Sequence, residues 1–215
     1  MVTTTAAILL AAGRSSRMGQ RQHKLLLPLG DRPVLAHVVE TVLASRAWPL
    51  VVVLGYQAEQ VRAILTPYES KLTIVENPDY QQGMSTSLRE GIKTLMSSYP
   101  TVDGALIVLG DQPLMTSHIL NSMIETKQAT GKRIIAARYS GKRGNPTLFD
   151  ASLFPELMEM TGDEGGRKVL ERYQKEIAIL DMEDDMPNYD VDTWEAYQQV
   201  VKVWEGIIDP SLDNP

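Results

Sequence analysis

The chain has 215 residues, of which 43% are hydrophobic and 22% are charged, and it carries a net charge of −6 with no cysteine and three histidines. This size and composition suit a single α/β core, and the lack of cysteine excludes thiolate catalysis, thiolate-bound zinc and disulfides within the chain. The negative net charge argues against nucleic-acid binding, because phosphate contacts need clustered cations, but it leaves room for one local site for a small anion.

Short apolar runs alternate along the chain with stretches of helical periodicity, which is the pattern of βαβ units on a parallel sheet. Strands are predicted at residues 6–11, 50–54, 72–75, 104–109, 133–137, 147–149 and 177–180. Helices are predicted at residues 34–45, 58–65, 87–97, 117–129, 152–159, 164–173 and 192–204, and a loop rich in glycine and proline at 140–146. The expected fold class is therefore α/β, a doubly wound, mostly parallel sheet with helices on both faces.

One domain is expected over residues 1–208, and the tail 209–215, with two prolines and two aspartates, is expected to fray. No apolar run reaches the roughly 20 residues that a membrane helix needs, and the first residues lack a signal-peptide pattern. A cytoplasmic location without membrane contact is therefore expected.

The first predicted strand leads directly into a polar loop. Residues 6–12 are apolar, and Gly13 opens a loop rich in glycine, serine and arginine that is followed by Lys24. Backbone amides and cations at the end of a buried strand suit phosphate groups. On these residues alone, a tight turn with solvated arginines is an equal alternative.

A second candidate follows the strand 104–109, where the chain reads Gly110-Asp111-Gln112-Pro113. Ligands of open parallel sheets bind outside the carboxyl ends of the strands, and Mg²⁺ prefers carboxylate oxygens together with phosphates and waters. Asp111 is therefore a candidate metal ligand, and a turn ahead of Pro113 is the alternative.

Four further segments combine possible ligands with ordinary turn or cap patterns. Asp190 and Asp192 are expected to point in opposite directions if the chain is extended there, and Asp192 also fits a helix N-cap. Ser87 fits a capping box, while its backbone and the preceding residues could contact a base or ribose. The glycine-rich turns at 143–146 and 162–167 each carry an arginine and together suggest an anion clamp.

These motifs resemble those of the molybdenum-cofactor type of nucleotidyltransferase, which implies a Rossmann-like nucleotidyltransferase fold. The resemblance is carried first by Leu10-Ala11-Ala12-Gly13, by the loop Arg-Ser-Ser-Arg-Met-Gly with Lys24, and by 110–113. It narrows to the molybdenum cofactor cytidylyltransferases through segments 77–85, 143–146, 162–167 and 190–193, and it covers residues 5–203.

The resemblance implies transfer of CMP from CTP to the phosphate of a molybdopterin-type cofactor, with release of pyrophosphate and with Mg²⁺ as cofactor. A molybdoenzyme or its maturation factor is then a further partner. Implied catalytic residues are Arg17, Lys24 and Asp111. Implied metal ligands are Asp111 and Asp192, with Asp190 as the alternative to Asp192. Implied nucleotide-binding residues are Leu10, Ala11, Ala12, Gly13, Arg14, Ser15, Lys24, Ser85, Ser87 and Gly110. Implied acceptor-binding residues are Arg143, Asn145, Gly166 and Arg167.

Some points stay open on the sequence alone. Four residues separate Gly19 from Lys24, more than is usual in the family, so Arg21 could substitute for Lys24. Ala12 stands where guanylyl-transferring relatives have glycine, which favours cytosine over guanine. The alternatives are the same reaction with GTP or with a sugar or polyol phosphate, and a chaperone that binds the molybdenum cofactor without chemistry.

Overall fold

The computed structural model describes residues 4–14, 18, 23–164 and 166–208, so the predicted tail 209–215 lies outside the described residues. The strands are β1 (Thr5–Ala11), β2 (Pro28–Leu29), β3 (Arg32–Pro33), β4 (Leu50–Leu54), β5 (Thr73–Glu76), β6 (Gly104–Leu109), β7 (Ile134–Tyr139), β8 (Lys142–Asp150) and β9 (Ile177–Asp181). The α-helices are α1 (Val34–Leu43), α2 (Ala58–Leu65), α3 (Met84–Ser98), α4 (Ser117–Thr130), α5 (Phe154–Met158), α6 (Arg167–Arg172) and α7 (Trp194–Ile208).

Seven strands form one central sheet in the order β5-β4-β1-β6-β8-β7-β9, which confirms the predicted fold class. β5, β4, β1 and β6 are parallel, as are β7 and β9, whereas β8 is antiparallel to both of its neighbours. Every residue of β1 and β4 is buried, as expected of parallel strands covered on both faces. The carboxyl ends of β1, β4 and β6 therefore meet at one edge of the sheet.

The hydrophobic core lies on both faces of the sheet. α1, α2 and α4 cover one face, around Val38, Val61 and Leu120, and α3, α5 and α6 cover the other, around Ile92 and Leu157. A smaller apolar cluster joins α7 to the β2–β3 hairpin. No helix of the described residues is long and apolar enough to cross a membrane.

The predicted loop at 140–146 is wrong, because β8 begins at Lys142. Ser140 and Gly141 have φ values of 44° and 79°, so two residues close a hairpin between β7 and β8 with the twist that adjacent strands require. The pairing shifts between Ala136 and Ala137, where the partners change from Thr147 to Gly144. The intervening Pro146 has no N–H to donate and is accommodated at this irregularity.

The predicted start of α3 is also wrong, since the helix begins at Met84 and places Ser87 inside it. The capping-box interpretation of Ser87 therefore fails. The helix predicted at 164–173 is shorter in the structure, where α6 spans Arg167–Arg172 and a short 3₁₀ turn at Gly162–Glu164 precedes it. The two-residue strands β2 and β3 were not predicted.

Candidate active site

A cavity of about 480 Å³, the first cavity, opens at the carboxyl ends of β1 and β6. The first polar loop, the end of β6, the start of α3 and the segment before α7 all contribute to it. Its lining includes Leu10, Ala11, Ala12, Gly13, Arg14, Lys24, Tyr80, Met84, Ser87, Asp111, Asp163, Asp190 and Asp192. The fold thus brings together residues that lie as far apart in the chain as the first strand and the segment before the last helix.

Lys24 lies between two carboxylates in the first cavity. Its Nζ donates to Asp111 and, at 2.5 Å, to Asp192 Oδ1. The side chains of Lys24 and Asp111 are only 12% and 14% exposed. Burial lowers the pKa of Lys24, but the attraction of Asp111 and Asp192 outweighs it and holds that pKa above its usual range. The two carboxylates are therefore close enough to share one cation.

The turn that carries Lys24 is held in place by His23. The Nδ1 atom of His23 accepts a hydrogen bond from Leu25 N at 3.3 Å, and its Nε2 lies 3.2 Å from the carbonyl oxygen of Tyr56. The His23 ring also stacks on the Tyr56 ring, with the ring centroids 5.6 Å apart. Burial lowers the pKa of His23, which favours the neutral ring whose Nδ1 can accept.

Asp190 and Asp192 both line the first cavity, and the condition on which opposite directions were expected, an extended chain, is not met there. Asp192 N donates to Asp190 O at 2.9 Å, which closes a three-residue turn. Val191 N donates to Asp111 O at 2.9 Å and fixes this turn beside β6. The N-cap role predicted for Asp192 falls instead to Thr193, whose Oγ1 accepts from Ala196 N.

Asp190 adds a third carboxyl group to this part of the cavity. Burial, followed by repulsion from Asp111, raises the pKa of Asp190 to about 6. Its Oδ1 accepts a hydrogen bond of 2.6 Å from Gln112 Nε2, and Gln112 Oε1 is buried without a hydrogen-bond partner among the described residues. Asp111 and Asp192, the acidic pair, therefore lie beside a carboxyl group that loses its proton at a higher pH than an ordinary aspartate does.

The first loop is described only in part. Ser15 and Arg17, predicted at the nucleotide, and Arg21 lie outside the described residues. Arg14 Cζ lies 5.8 Å from the centroid of the Tyr80 ring.

Ala12 lies at the end of β1, beside a glycine. A Cβ on Gly55 would lie 2.8 Å from Ala12 Cβ and 2.7 Å from Tyr80 Cβ. Tyr56 N donates to Ala12 O at 3.1 Å. The backbone after β4 therefore lies against the Ala12 methyl group, and Ala12 also lines the first cavity.

Three other predicted nucleotide-binding residues occupy different places. Ser87 lines the first cavity, whereas Ser85 is fully buried in α3 with a hydroxyl that has no hydrogen-bond partner among the described residues. Gly110 N donates to Leu10 O at 3.0 Å, so Gly110 joins β6 to β1 below the cavity.

A second cavity of about 600 Å³ adjoins the first, and Leu10, Met84 and Leu109 line both. All four predicted acceptor-binding residues lie in its wall, together with Lys142, which sequence reasoning missed. These residues are Lys142, Arg143, Asn145, Gly166 and Arg167. Its described lining contains no carboxylate, and apart from Gly144 and Thr147 the remaining residues are leucine, isoleucine, phenylalanine, methionine and alanine. This composition suits an anion that carries an apolar body.

The start of α3 joins the two cavities. Met84 N donates to Asp163 Oδ1 at 3.1 Å, so a residue far along the chain caps the helix that the local sequence leaves uncapped at Gly83. Asp163 lines the first cavity, and Gly166 and Arg167, just after it, line the second.

Gly83→Ala is expected to lower the free energy of unfolding by about 1–3 kcal/mol because of backbone strain. The clash of the new methyl group is expected to lower it further. Gly83 has a φ of +110°, and a Cβ there would lie 2.5 Å from the carbonyl carbon of Gly162. Gly131→Ala is the matched control, because Gly131 has a φ of +64° and a Cβ there would have no atom within 4 Å. Urea denaturation measures both, and equal losses would show that the contact with Gly162 does not matter.

The acidic pair fits a divalent cation by the chemistry of its donors. Asp111 and Asp192 offer carboxylate oxygens to one cationic atom, and Mg²⁺ or Mn²⁺ binds such oxygens together with phosphates and waters. Among the described residues no group of three or more His, Asp or Glu side chains is placed to hold a metal. A metal held by Asp111 and Asp192 would complete its coordination with further oxygens, such as those of phosphates and waters.

Comparison with known families identifies the class of protein. The family model described as the MobA-like NTP transferase domain matches residues 7–177. The chain therefore belongs to the MobA-like NTP transferases and is a nucleotidyltransferase of that family, which confirms the resemblance at this level. The match ends before Asp190 and Asp192.

Two similar curated proteins cover nearly the whole chain. Nicotine blue oxidoreductase of Paenarthrobacter nicotinovorans is 33% identical over 204 residues, which is 90% of this chain and 95% of that protein. Purine catabolism protein PucB of Bacillus subtilis strain 168 is 29% identical over 199 residues, which is 90% of this chain and 94% of that protein.

Solved structures share the same architecture. Rv0371c of Mycobacterium tuberculosis H37Rv has a TM-score of 0.78 and 30% identity, covering 94% of this chain and all of that one. A complex of Rv0371c with manganese has a TM-score of 0.73 and 28% identity, covering 93% and 99%. A nucleotidyl transferase from Methanothermobacter, with a TM-score of 0.80 and 21% identity, covers 94% and 97% and shares the fold.

Proposed function

We propose that the protein is a cytoplasmic cytidylyltransferase that transfers CMP from CTP to the phosphate of a molybdopterin-type cofactor and releases pyrophosphate. The first cavity takes CTP and the second takes the acceptor. The observation that carries the proposal is that an acidic pair and the first loop share a wall with a cavity lined by cations. A molybdoenzyme or its maturation factor would receive the product.

The residues of the two cavities serve mainly to position and to balance charge. An acceptor phosphate is ionised at neutral pH, so its attack on the α-phosphate of CTP needs no general base. Arg143 and Arg167 hold the acceptor phosphate, while Lys24 and Arg17 offset the negative charge of the triphosphate. Arg17 enters by the family resemblance, since it lies outside the described residues.

Asp111 and Asp192 would hold Mg²⁺, with Asp190 behind them. When bound, the ion supplies positive charge that stabilises the phosphate oxygens and the departing pyrophosphate. The two aspartates position that charge at the edge of the sheet where β1 and β6 end.

The test is pyrophosphate release by the purified full-length protein with CTP, GTP, ATP and UTP, each with and without a molybdopterin-type acceptor and Mg²⁺. Release is expected with CTP and only when the acceptor is present, and mass spectrometry is expected to find the cytidylylated cofactor. Release with GTP but not with CTP would overturn the assignment of CTP as the nucleotide donor. Release with a sugar or polyol phosphate would overturn the assignment of the acceptor.

Two further outcomes would overturn the reaction itself. Tight cofactor binding without pyrophosphate release, unaffected by removing Mg²⁺, would support a chaperone. Because one relative is named an oxidoreductase, NADH and NADPH are included in the panel. Their oxidation in the absence of pyrophosphate release would favour redox chemistry.

Ala12→Gly is expected to lower the ratio of kcat/KM for CTP to that for GTP by about 10-fold, because one methyl group beside the base discriminates by about this factor. The Ala12 methyl group lies against Gly55 and Ala12 lines the first cavity, so its removal adds space in this part of the cavity wall. The ratio is measured by pyrophosphate release with both nucleotides. An unchanged ratio would show that Ala12 does not select the base.

A further inference from the structure

A buried asparagine lies directly behind the first cavity. Asn77 is 2% exposed and follows β5, and its backbone N donates to Leu54 O at 2.8 Å. We infer that Asn77 is a positioning residue that leaves the Ser87 hydroxyl as a hydrogen-bond donor to an acceptor atom of the nucleotide. The inference rests on the proposed function, because it takes the first cavity as the nucleotide site.

The orientation of the Asn77 amide follows from its partners. Asp79 N lies 2.9 Å from Asn77 Oδ1, and a backbone N–H can only donate. The oxygen of the amide must therefore face Asp79, and Nδ2 must face α3. The assignment of the two amide atoms thus follows from the hydrogen-bond network.

The two protons of Nδ2 are directed at neighbouring hydroxyls of α3. Asn77 Nδ2 donates to Thr86 Oγ1 at 2.7 Å and to Ser87 Oγ at 2.9 Å. Both hydroxyls consequently accept, and each keeps its own proton for another partner. Neither can turn that proton toward Asn77.

The two hydroxyls differ in where that proton can go. Thr86 Oγ1 lies 2.8 Å from Gly83 O and 3.1 Å from Asp79 O, so its proton is satisfied within the protein. Ser87 Oγ donates no hydrogen bond to any described residue, although Ser87 is only 4% exposed and lines the first cavity. The proton left over in the cavity wall is therefore that of Ser87.

A buried donor of this kind selects its ligand. A ligand with an oxygen or ring nitrogen opposite Ser87 completes the network, whereas one without such an atom leaves a polar group unpaired. The base and the ribose of a nucleoside triphosphate both offer such atoms. Asn77 touches no ligand itself and acts through Ser87.

The test uses the full chain, with CTP and MnCl₂ titrated by calorimetry in the absence of acceptor. Ser87→Ala removes the donor, and Asn77→Asp offers carboxylate oxygens that accept the Ser87 proton and turn it away from the cavity. Each is expected to raise the Kd for CTP about 10-fold, as loss of one buried hydrogen bond does. The double variant is expected to bind no more weakly than Ser87→Ala.

The double variant separates this effect from simple repulsion of CTP by the new carboxylate, which would persist without Ser87. Thr86→Val is the control, because it removes a structural hydroxyl next to Ser87 that is not part of the cavity wall. It is expected to lower the midpoint of urea denaturation but to change the Kd for CTP less than 2-fold.

Three results would overturn the inference. One is an unchanged Kd in folded Asn77→Asp, the second is a further loss of affinity when Asn77→Asp is added to Ser87→Ala, and the third is an equal loss in Thr86→Val. Failure of the unaltered protein to bind CTP, UTP, GTP or ATP would overturn the proposed function and the inference with it. The first three results leave the proposed function in place.

Discussion

Asp111→Asn is expected to reduce the rate of pyrophosphate release on the order of 10³-fold while the chain still folds. Asparagine keeps the shape of the side chain but removes the charge that would hold a divalent cation. Lys24 retains Asp192 as a partner, so the loss of stability should be small. The measurements are kcat at saturating CTP, circular dichroism, and Mn²⁺ binding by electron paramagnetic resonance, which should weaken in parallel with turnover.

Asp103→Asn is a matched control at the other end of the same strand. Asp103 precedes β6 as Asp111 follows it, and its Oδ2 lies 3.1 Å from Nζ of the buried Lys127. Its other oxygen accepts from Thr5 Oγ1 at 2.9 Å. Asp103→Asn should lower stability and keep full turnover per folded molecule. Undiminished turnover in Asp111→Asn would remove the metal assignment.

Lys24→Met is expected to change two properties in opposite directions. Turnover should fall on the order of 10²-fold, because a cation that offsets phosphate charge is lost. The affinity of the nucleotide-free protein for Mn²⁺ should instead rise at least about 10-fold, because the ammonium group lies between the carboxylates of Asp111 and Asp192 and competes with the metal. Calorimetry with MnCl₂ and a pyrophosphate assay measure the two effects.

Lys127→Met is the control for the loss of a buried lysine. Lys127 pairs with Asp103 and Asp150, each at 3.1 Å, at the opposite end of the sheet. This variant should lose stability, because two carboxylates are left without their partner, and should show neither change in Mn²⁺ affinity nor loss of turnover per folded molecule. A lower or equal Mn²⁺ affinity in Lys24→Met would show that Lys24 does not compete with the metal.

The central sheet could be predicted because its signal is local. Strands buried on both faces are continuous apolar runs, and all seven predicted strands have counterparts in the sheet. The direction of β8 and its first half were missed, because Lys142 and Arg143 are exposed and resemble a loop. The hairpin there depends on two residues with positive φ, and serine at position 140 does not predict such a turn.

The candidate site was predictable where it follows a strand and unpredictable where distant segments meet. The position of Asp111 at the end of a strand could be predicted from the apolar run at 105–109 that precedes it. The cap of α3 could not, because Asp163 supplies it from another part of the chain. The placement of Asp190 depends on the turn at 190–192 and on the hydrogen bond between Val191 and Asp111, which leave no local pattern, so the period of an extended strand does not apply there.

The candidate site needs the segment that the hydrogen bond from Val191 to Asp111 holds beside β6, so the site can form only late in protein synthesis. A nascent chain folds from its N-terminal part first, and β1, β4 and β6 all precede Asp111. Asp192 leaves the ribosome long after these strands, so the acidic pair is assembled only when the segment before α7 has docked. An incomplete chain on the ribosome therefore carries the first loop and one aspartate but cannot yet hold a cation between two carboxylates.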